Sequence, residues 1–372
     1  MSLKIEKVET FGVDMPLSGS FTSGGLTMSK TRCIAVRVTA SDGATGISSI
    51  DPSSKAKSPN TAPELEQAIR EKVSPALLGQ DPLNLHRVTA LVRAATPEQP
   101  GTGAAIETAC LDLTCQRLGI PLHQFLGGAV ADRVRFNGWI GELPPDEAAA
   151  EAGRWLAAGF KSAKIKVGTG VAEDSARVAA VREAVGDAMA LRMDANQQYD
   201  VAGALALCAE VKQFDMQLFE QPTPKDDLEA LARIRREGGL PIMADESISD
   251  HQSLIDVIKA DCADYVKFGI KQAGGLMRAQ QMIATAEAAG LPVVLGHGFG
   301  LDPSTMAEIM LGATSSNVVP GLECVGPLKV VDTVATTRLD LSRGEIDLPT
   351  APGLGITLDE AKLERYRMNA TS

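Results

Sequence analysis

A (β/α)8-type barrel carrying a separate α+β capping domain is the fold this sequence predicts, on three observations. From about residue 131, strand-like and helix-like segments alternate at a regular spacing, as they do when parallel strands are joined by crossover helices. The first third reads instead as strands followed by helices. After about residue 330 the text (VVDTVATTRLDLSRGEIDLPTAPGLGITL) returns to short strands and turns, which are expected to pack back on the first third. The expected division is 1–125 for the capping domain, 131–330 for the barrel and 331–372 for the returning tail.

The capping domain opens with LKIEKVETFGVD (3–14) and RCIAVRVTA (32–40), whose β-branched, alternating or apolar runs read as strands. Asp42-Gly43 marks a turn into a third strand, ATGISSI. Helical periodicity follows over 62–78, 84–95 and 103–118. Two polar, Gly- and Ser-rich stretches, 17–30 and 48–61, are too long for turns and too polar for core, so they are expected to be binding loops or lids. Lys55 and Lys57 in the second could meet a further anionic group on a ligand.

In the barrel region the strand candidates are RVRFNGWI, SAKIKV, ALRMD, MQLFE, PIMAD, DYVKF, LPVVLG and NVVPGLE. Helices such as PDEAAAEAGRWLAAG and LMRAQQMIATAEAAG lie between them. Eight strands with intervening helices suit a closed barrel better than an open doubly wound sheet, and no GxGxxG follows the first strand.

Residues at the C-terminal ends of barrel strands share one rim. Asp194, Glu220 and Asp245 stand at three consecutive ends, 26 and then 25 residues apart. Three converging carboxylates repel one another unless a cation lies between them, and oxygen-only ligands suit Mg²⁺, with Mn²⁺ as a possible substitute. Lys164 and Lys166 are two apart on the second strand, so both point inward. Like charge and desolvation near a divalent cation are expected to depress both their pKa values. Asn196 and Glu246 flank the acids, Lys267 or Lys271 marks the sixth strand, His297 the seventh and Glu323 the eighth. Strands two and six are four apart in a ring of eight, so a lysine on each gives proton chemistry access to two faces of one carbon.

Composition narrows the partners. With 36 basic and 47 acidic residues the formal charge is −11, and no basic run suggests nucleic acid or an anionic membrane surface. The six cysteines form no CxxC pair and lack zinc-type spacing with the four histidines, as expected of a reduced cytoplasmic protein. Neither a signal-peptide stretch nor eighteen consecutive apolar residues occurs.

KIK at 164–166 followed by acids in the contexts MDANQ, FEQP and ADES resembles the enolase superfamily, specifically its muconate lactonizing enzyme subgroup. The resemblance covers the whole chain. It implies Mg²⁺ on Asp194, Glu220 and Asp245, Lys166 as the principal base with Lys164 tuning it, and a second lysine opposite. It implies removal of the proton α to the carboxylate of a small substrate, an amino-acid derivative or muconate-like, and a homo-oligomeric assembly. Racemisation, epimerisation or cycloisomerisation then follows, with dehydration of a hydroxy acid or acid sugar, or non-catalytic carboxylate binding, as alternatives. One departure stands out. The family's sixth-strand lysine lies five residues before a Gly-Gly pair, where this chain has Gly269; Lys267 and Lys271 stand two residues to either side. Both read as lying on one strand face, with Lys267 reaching through the gap that Gly269 leaves. The eighth strand reads GLECVGP and lacks the DxD of the dipeptide epimerases, which disfavours a dipeptide substrate.

Overall fold

A computed structural model of the chain describes residues 3–23, 26–52, 58, 60–296, 298–324 and 326–368. Strands β1 (Ile5–Ser23) and β2 (Leu26–Ala40) form one long antiparallel pair, and β3 (Thr45–Ile50) adds to β2. Of the stretch 17–30, expected as a binding loop or lid, residues 17–23 and 26–30 continue this antiparallel pair. Its polar text conceals two anchors, Leu17 and Phe21, both buried. Phe21 packs against Trp139 (6.1 Å between ring centroids) and edge-on against Phe299 (5.2 Å), which brings this end of β1 over the barrel mouth. Of the second stretch, 48–50 belong to β3; residues 53–57, which include Lys55 and Lys57, lie outside the described residues.

Helix Pro100–Leu118 joins the two halves and is buried along most of its length, from Gly101 to Cys115. Its backbone lies so close to β3 that a Cβ at Gly46 would stand 1.9 Å from the Ala109 carbonyl oxygen.

Expected strand RVRFNGWI divides into β4 (Arg133–Arg135) and β5 (Gly138–Ile140). Only β5 enters the barrel sheet. It is followed by β6 (Ser162–Lys166), β7 (Ala190–Asp194), β8 (Met216–Glu220), β9 (Ile242–Ala244), β10 (Tyr265–Phe268) and β11 (Val293–Leu295), in spatial order and all parallel. The eighth segment, NVVPGLE, is not a regular strand. Isolated bridges Val293↔Val318 and Phe136↔Leu322 join it to the two edges, and Glu323 N donates to Leu295 O at 2.9 Å, so it closes the ring. Pro320 has no N–H to give a ladder, which accounts for the interruption. Aspartates cap several of the outer helices: Asp200, Asp227 and Asp250 each accept from a backbone N–H in the first turn.

The tail packs on both halves. Strand β12 (Glu345–Asp347) pairs with β4, while Asp14 N donates to Tyr366 O and Met368 N to Gly12 O, both at 2.8 Å. No helix among the described residues is long and apolar enough to cross a membrane.

Candidate active site

Strand register builds the site. Lys166, Asp194 and Glu220 are successive Cα partners across β6, β7 and β8, so their side chains form one row at the rim. Glu220 pairs with Met243, which sets Asp245 just beyond the end of β9. Lys164 lies one inward-facing layer below Lys166, beside Trp139 on β5 and Arg192 on β7.

The charged groups interlock. Lys164 Nζ lies 3.0 Å from Asp194 Oδ2, 2.9 Å from Glu220 Oε2 and 2.5 Å from Glu323 Oε2, fully buried. Lys267 Nζ lies 2.7 Å from Glu220 Oε1, 2.9 Å from Asp245 Oδ2 and 3.1 Å from Glu323 Oε2. Lys166 Nζ donates to Asp194 Oδ2 and Asn196 Oδ1, each at 2.6 Å, and Asn196 Nδ2 donates to Glu246 Oε1 at 3.1 Å. Ten of the eleven rim residues expected from sequence are described, and nine of those converge; the exception is Lys271. His297 lies outside the described residues.

Lys271 occupies a one-turn helix, Ile270–Ala273, and not the strand; its Nζ donates to Asp51 O of the capping domain at 3.0 Å. The extra residues before Gly274-Gly275 are spent on this turn, which leaves Lys267 as the lysine on β10. Nor does Lys267 use space left by Gly269. A Cβ there would stand 2.7 Å from Glu308 Oε1 and 2.8 Å from Gly296 O, so Gly269 is needed for close packing.

The protein's own charges act on Lys164 in the direction opposite to the one expected beside a divalent cation. Burial alone would lower its pKa, but Asp194, Glu220 and Glu323 outweigh burial and hold it above the ordinary lysine value. Lys267 is raised likewise by Asp245, Glu220, Glu323 and Asp194. In return, Lys164 and the other lysines overcome burial to hold Asp194 below the ordinary range, and Lys164, Lys267 and Arg192 do so for Glu323. Burial, with the charges of Asp245 and Asp194, pushes Glu246 up to about 7.

Do these residues fit a divalent cation? Among the described residues, no group of three or more His, Cys, Asp or Glu side chains is gathered as a ready cage. The ammonium groups of Lys164 and Lys267 lie between the carboxylates instead, each bridging neighbouring strands. The rim thus concentrates hard oxygen donors around positive charge, and that donor set fits Mg²⁺.

Three contributors were legible but not singled out. Gln221, the Gln of FEQP, accepts from Asp245 N at 3.0 Å and Ser247 N at 3.2 Å, fixing the end of β9. Trp139, in the middle of the first barrel strand, places its ring 4.2 Å from Lys164 Nζ and 5.1 Å from Lys166 Nζ; its indole Nε1 is buried with no partner among the described residues. Arg192 stands two residues before Asp194, hence on the same face.

Residues 147–362 match the family described as Enolase C-terminal domain-like, and residues 6–127 the Mandelate racemase / muconate lactonizing enzyme, N-terminal domain. The N-succinyl-L-Arg/Lys racemase of Bacillus cereus is 29% identical over 366 residues, 97% of each chain. Its crystal structure superposes with a TM-score of 0.93 at 27% identity, over 99% of each chain. Muconate cycloisomerase 1-1 of Acinetobacter lwoffii is 30% identical over 368 residues, 98% of this chain and 97% of the relative. A dipeptide epimerase from Enterococcus faecalis, solved with Mg and the dipeptide L-Leu-L-Tyr, superposes with a TM-score of 0.89 at 28% identity, over 96% of this chain and all of the other.

Proposed function

Because the chain belongs to the enolase superfamily, in its muconate lactonizing enzyme subgroup, we propose that it is an isomerase that removes the proton α to a substrate carboxylate and returns it on the other face. The observation that carries this reading is the placement of Lys166 on β6 and Lys267 on β10, four positions apart in an eight-membered ring, with the rim carboxylates between them.

Asp194, Glu220 and Asp245 would hold Mg²⁺, or Mn²⁺ in its place. Bound there, the cation supplies positive charge that draws electron density from the substrate carboxylate. Lys166 Nζ takes the α-proton. Within the KIK pair it is the natural base, since its partners are one carboxylate and one neutral amide, whereas Lys164 touches three carboxylates. Lys267 Nζ delivers a proton from the opposite side; for the mirror-image substrate the two would exchange roles, Glu220 and Asp245 being then engaged by the cation. Lys164, held charged, offsets the negative charge that builds as the proton leaves. Trp139 and Phe21 wall the mouth and exclude water.

Racemisation or epimerisation is favoured over dehydration by two lysines on opposite sides of the ring, Lys166 on β6 and Lys267 on β10, and by relatives named as a racemase and an epimerase. The aromatic mouth supports an N-acylated amino acid with an apolar side chain as substrate.

The test is α-proton exchange in D₂O with Mg²⁺, followed by NMR on both enantiomers of N-succinylphenylalanine, other N-acyl amino acids, dipeptides, hydroxy acids and muconate. Exchange and inversion of one substrate class, with one enantiomer's exchange lost in Lys166→Ala and the other's in Lys267→Ala, is the expected result. No exchange across the panel would rule the reading out.

A further inference from the structure

Arg192 is a fully buried cation below the rim, and none of the roles above uses it. Its Nη1 donates to Glu323 Oε1 at 3.0 Å and to Gly321 O at 2.9 Å, its Nη2 to Pro320 O at 2.9 Å and its Nε to Gln217 Oε1 at 2.8 Å. The planar fork of the guanidinium suits this set, and a lysine could not satisfy it from one point.

The pattern answers a defect in the barrel. The eighth segment meets its neighbours through isolated bridges at Val318 and Leu322 and single backbone bonds such as Glu323 N to Leu295 O, and between the two bridges Pro320 cannot donate to a ladder. The carbonyls of Pro320 and Gly321 find Arg192 instead. Gly321 makes room for it: at φ +102°, a Cβ there would stand 2.9 Å from Arg192 Nη2 and 2.6 Å from Ser162 Oγ. The guanidinium therefore sets both the path of the eighth segment and the aim of Glu323. Glu323 in turn gives its other oxygen, Oε2, to Lys164 and Lys267. Lys166 does not touch Glu323; it joins this network only at one remove, through Asp194 Oδ2, which it shares with Lys164.

Resting on the two-lysine reading above, we infer that Arg192 is a positioning residue that acts through Glu323 more strongly on the Lys267 half of the reaction than on the Lys166 half, which it reaches only by way of Lys164 and Asp194. A residue needed only for folding would slow both halves alike. Chirality separates the halves, because each enantiomer loses its α-proton to a different lysine.

The experiment measures exchange of D- and L-N-succinylphenylalanine in D₂O with Mg²⁺ for wild type, Arg192→Lys, Glu323→Gln and the double variant. Lys166→Ala and Lys267→Ala assign each enantiomer to its lysine. Circular dichroism checks the fold. In Arg192→Lys the Lys267-dependent enantiomer is expected to slow roughly tenfold more than the other, a difference of about one power of ten in rate. In the Glu323→Gln background the same substitution should change that ratio no further, because the relay is already cut. Equal slowing of both enantiomers, or an undiminished effect in the double variant, overturns the inference while leaving the functional reading intact. No exchange by wild type overturns the reading and the inference with it. Should Arg192→Lys not fold, Gln217→Met releases only the Nε end, and an unchanged enantiomer ratio there is the overturning result.

Discussion

Asp112, in the middle of the buried helix Pro100–Leu118, joins three parts of the chain that are distant in sequence. Its Oδ2 accepts from Ile47 N on β3 and from Gln116 Nε2, both at 2.9 Å, and its Oδ1 from Leu354 N in the tail at 2.7 Å. Burial outweighs these bonds and pushes the carboxyl from its ordinary 3.8 up to about 6. The folded state therefore binds the extra proton, and stability from this group is greatest below pH 3.8. It falls as pH rises towards 6 and is level above that. A gap of about two pH units corresponds to about 3 kcal/mol, of which about 2 kcal/mol is lost between pH 4 and pH 7. Asp112→Asn removes the titration and keeps the shape. Measured by urea unfolding, the Asn variant should gain about 2 kcal/mol relative to wild type between pH 4 and pH 7, whatever its offset at either pH. That offset is expected to be a loss, since an amide NH₂ must face either Leu354 N or Ile47 N. A difference that stays constant with pH, or moves the other way, would refute the assignment.

Four further outcomes are expected. Chelation with EDTA should abolish exchange in the N-succinylphenylalanine assay, and Mg²⁺ or Mn²⁺ should restore it in wild type but not in Glu220→Gln; restoration in that variant would remove Glu220 from the proposed ligand set. Trp139→Leu takes the ring from above Lys164 and Lys166, and should lower kcat/KM about five- to thirty-fold, as about 1–2 kcal/mol of cation–π contact implies; an unchanged value would make Trp139 a packing residue alone. Lys271→Met cuts the donor to Asp51 O at the seam between cap and barrel. It should raise KM several-fold, the value of about one hydrogen bond, with kcat nearly constant; a large fall in kcat would put Lys271 back in the chemistry. Gly269→Ala forces a Cβ against Glu308 and the Gly296 carbonyl, and should destabilise the fold by about 1–3 kcal/mol in the same urea assay; a neutral outcome would contradict that packing.

Much of the site was legible because strand geometry is local and repetitive. Alternation of period two puts Lys164 and Lys166 on one face, and an apolar run ending in an acid locates a rim residue without knowledge of its neighbours. The same rules applied to Arg192, which shares a face with Asp194, yet its value depends on Pro320 and Gly321, more than 120 residues away, which no local pattern connects to it. The strand pairing within 17–30 was hidden for a related reason. Polar text between Leu17 and Phe21 looks like loop until the backbone bridge of Leu17 to Val330 and the packing of Phe21 on Trp139 are known.

Lys267 and Lys271 show where a local rule misleads. Four residues apart, they share a face if the strand continues, and period two alone does not separate them; the expectation favoured Lys267 only for the gap at Gly269. The strand ends at Phe268, and one turn of helix carries Lys271 outward to the capping domain while Lys267 stays inside. The expectation of a depressed Lys164 weighed a divalent cation, burial and like charge, but not the three carboxylates that strand register brings to the same Nζ. Charge balance at such a rim is set by which strands are neighbours. Lys164, which touches three carboxylates, is held charged, while Lys166 touches one carboxylate and one amide, so the proposal of Lys166 over Lys164 as base draws on its partners as well as on its position in the motif.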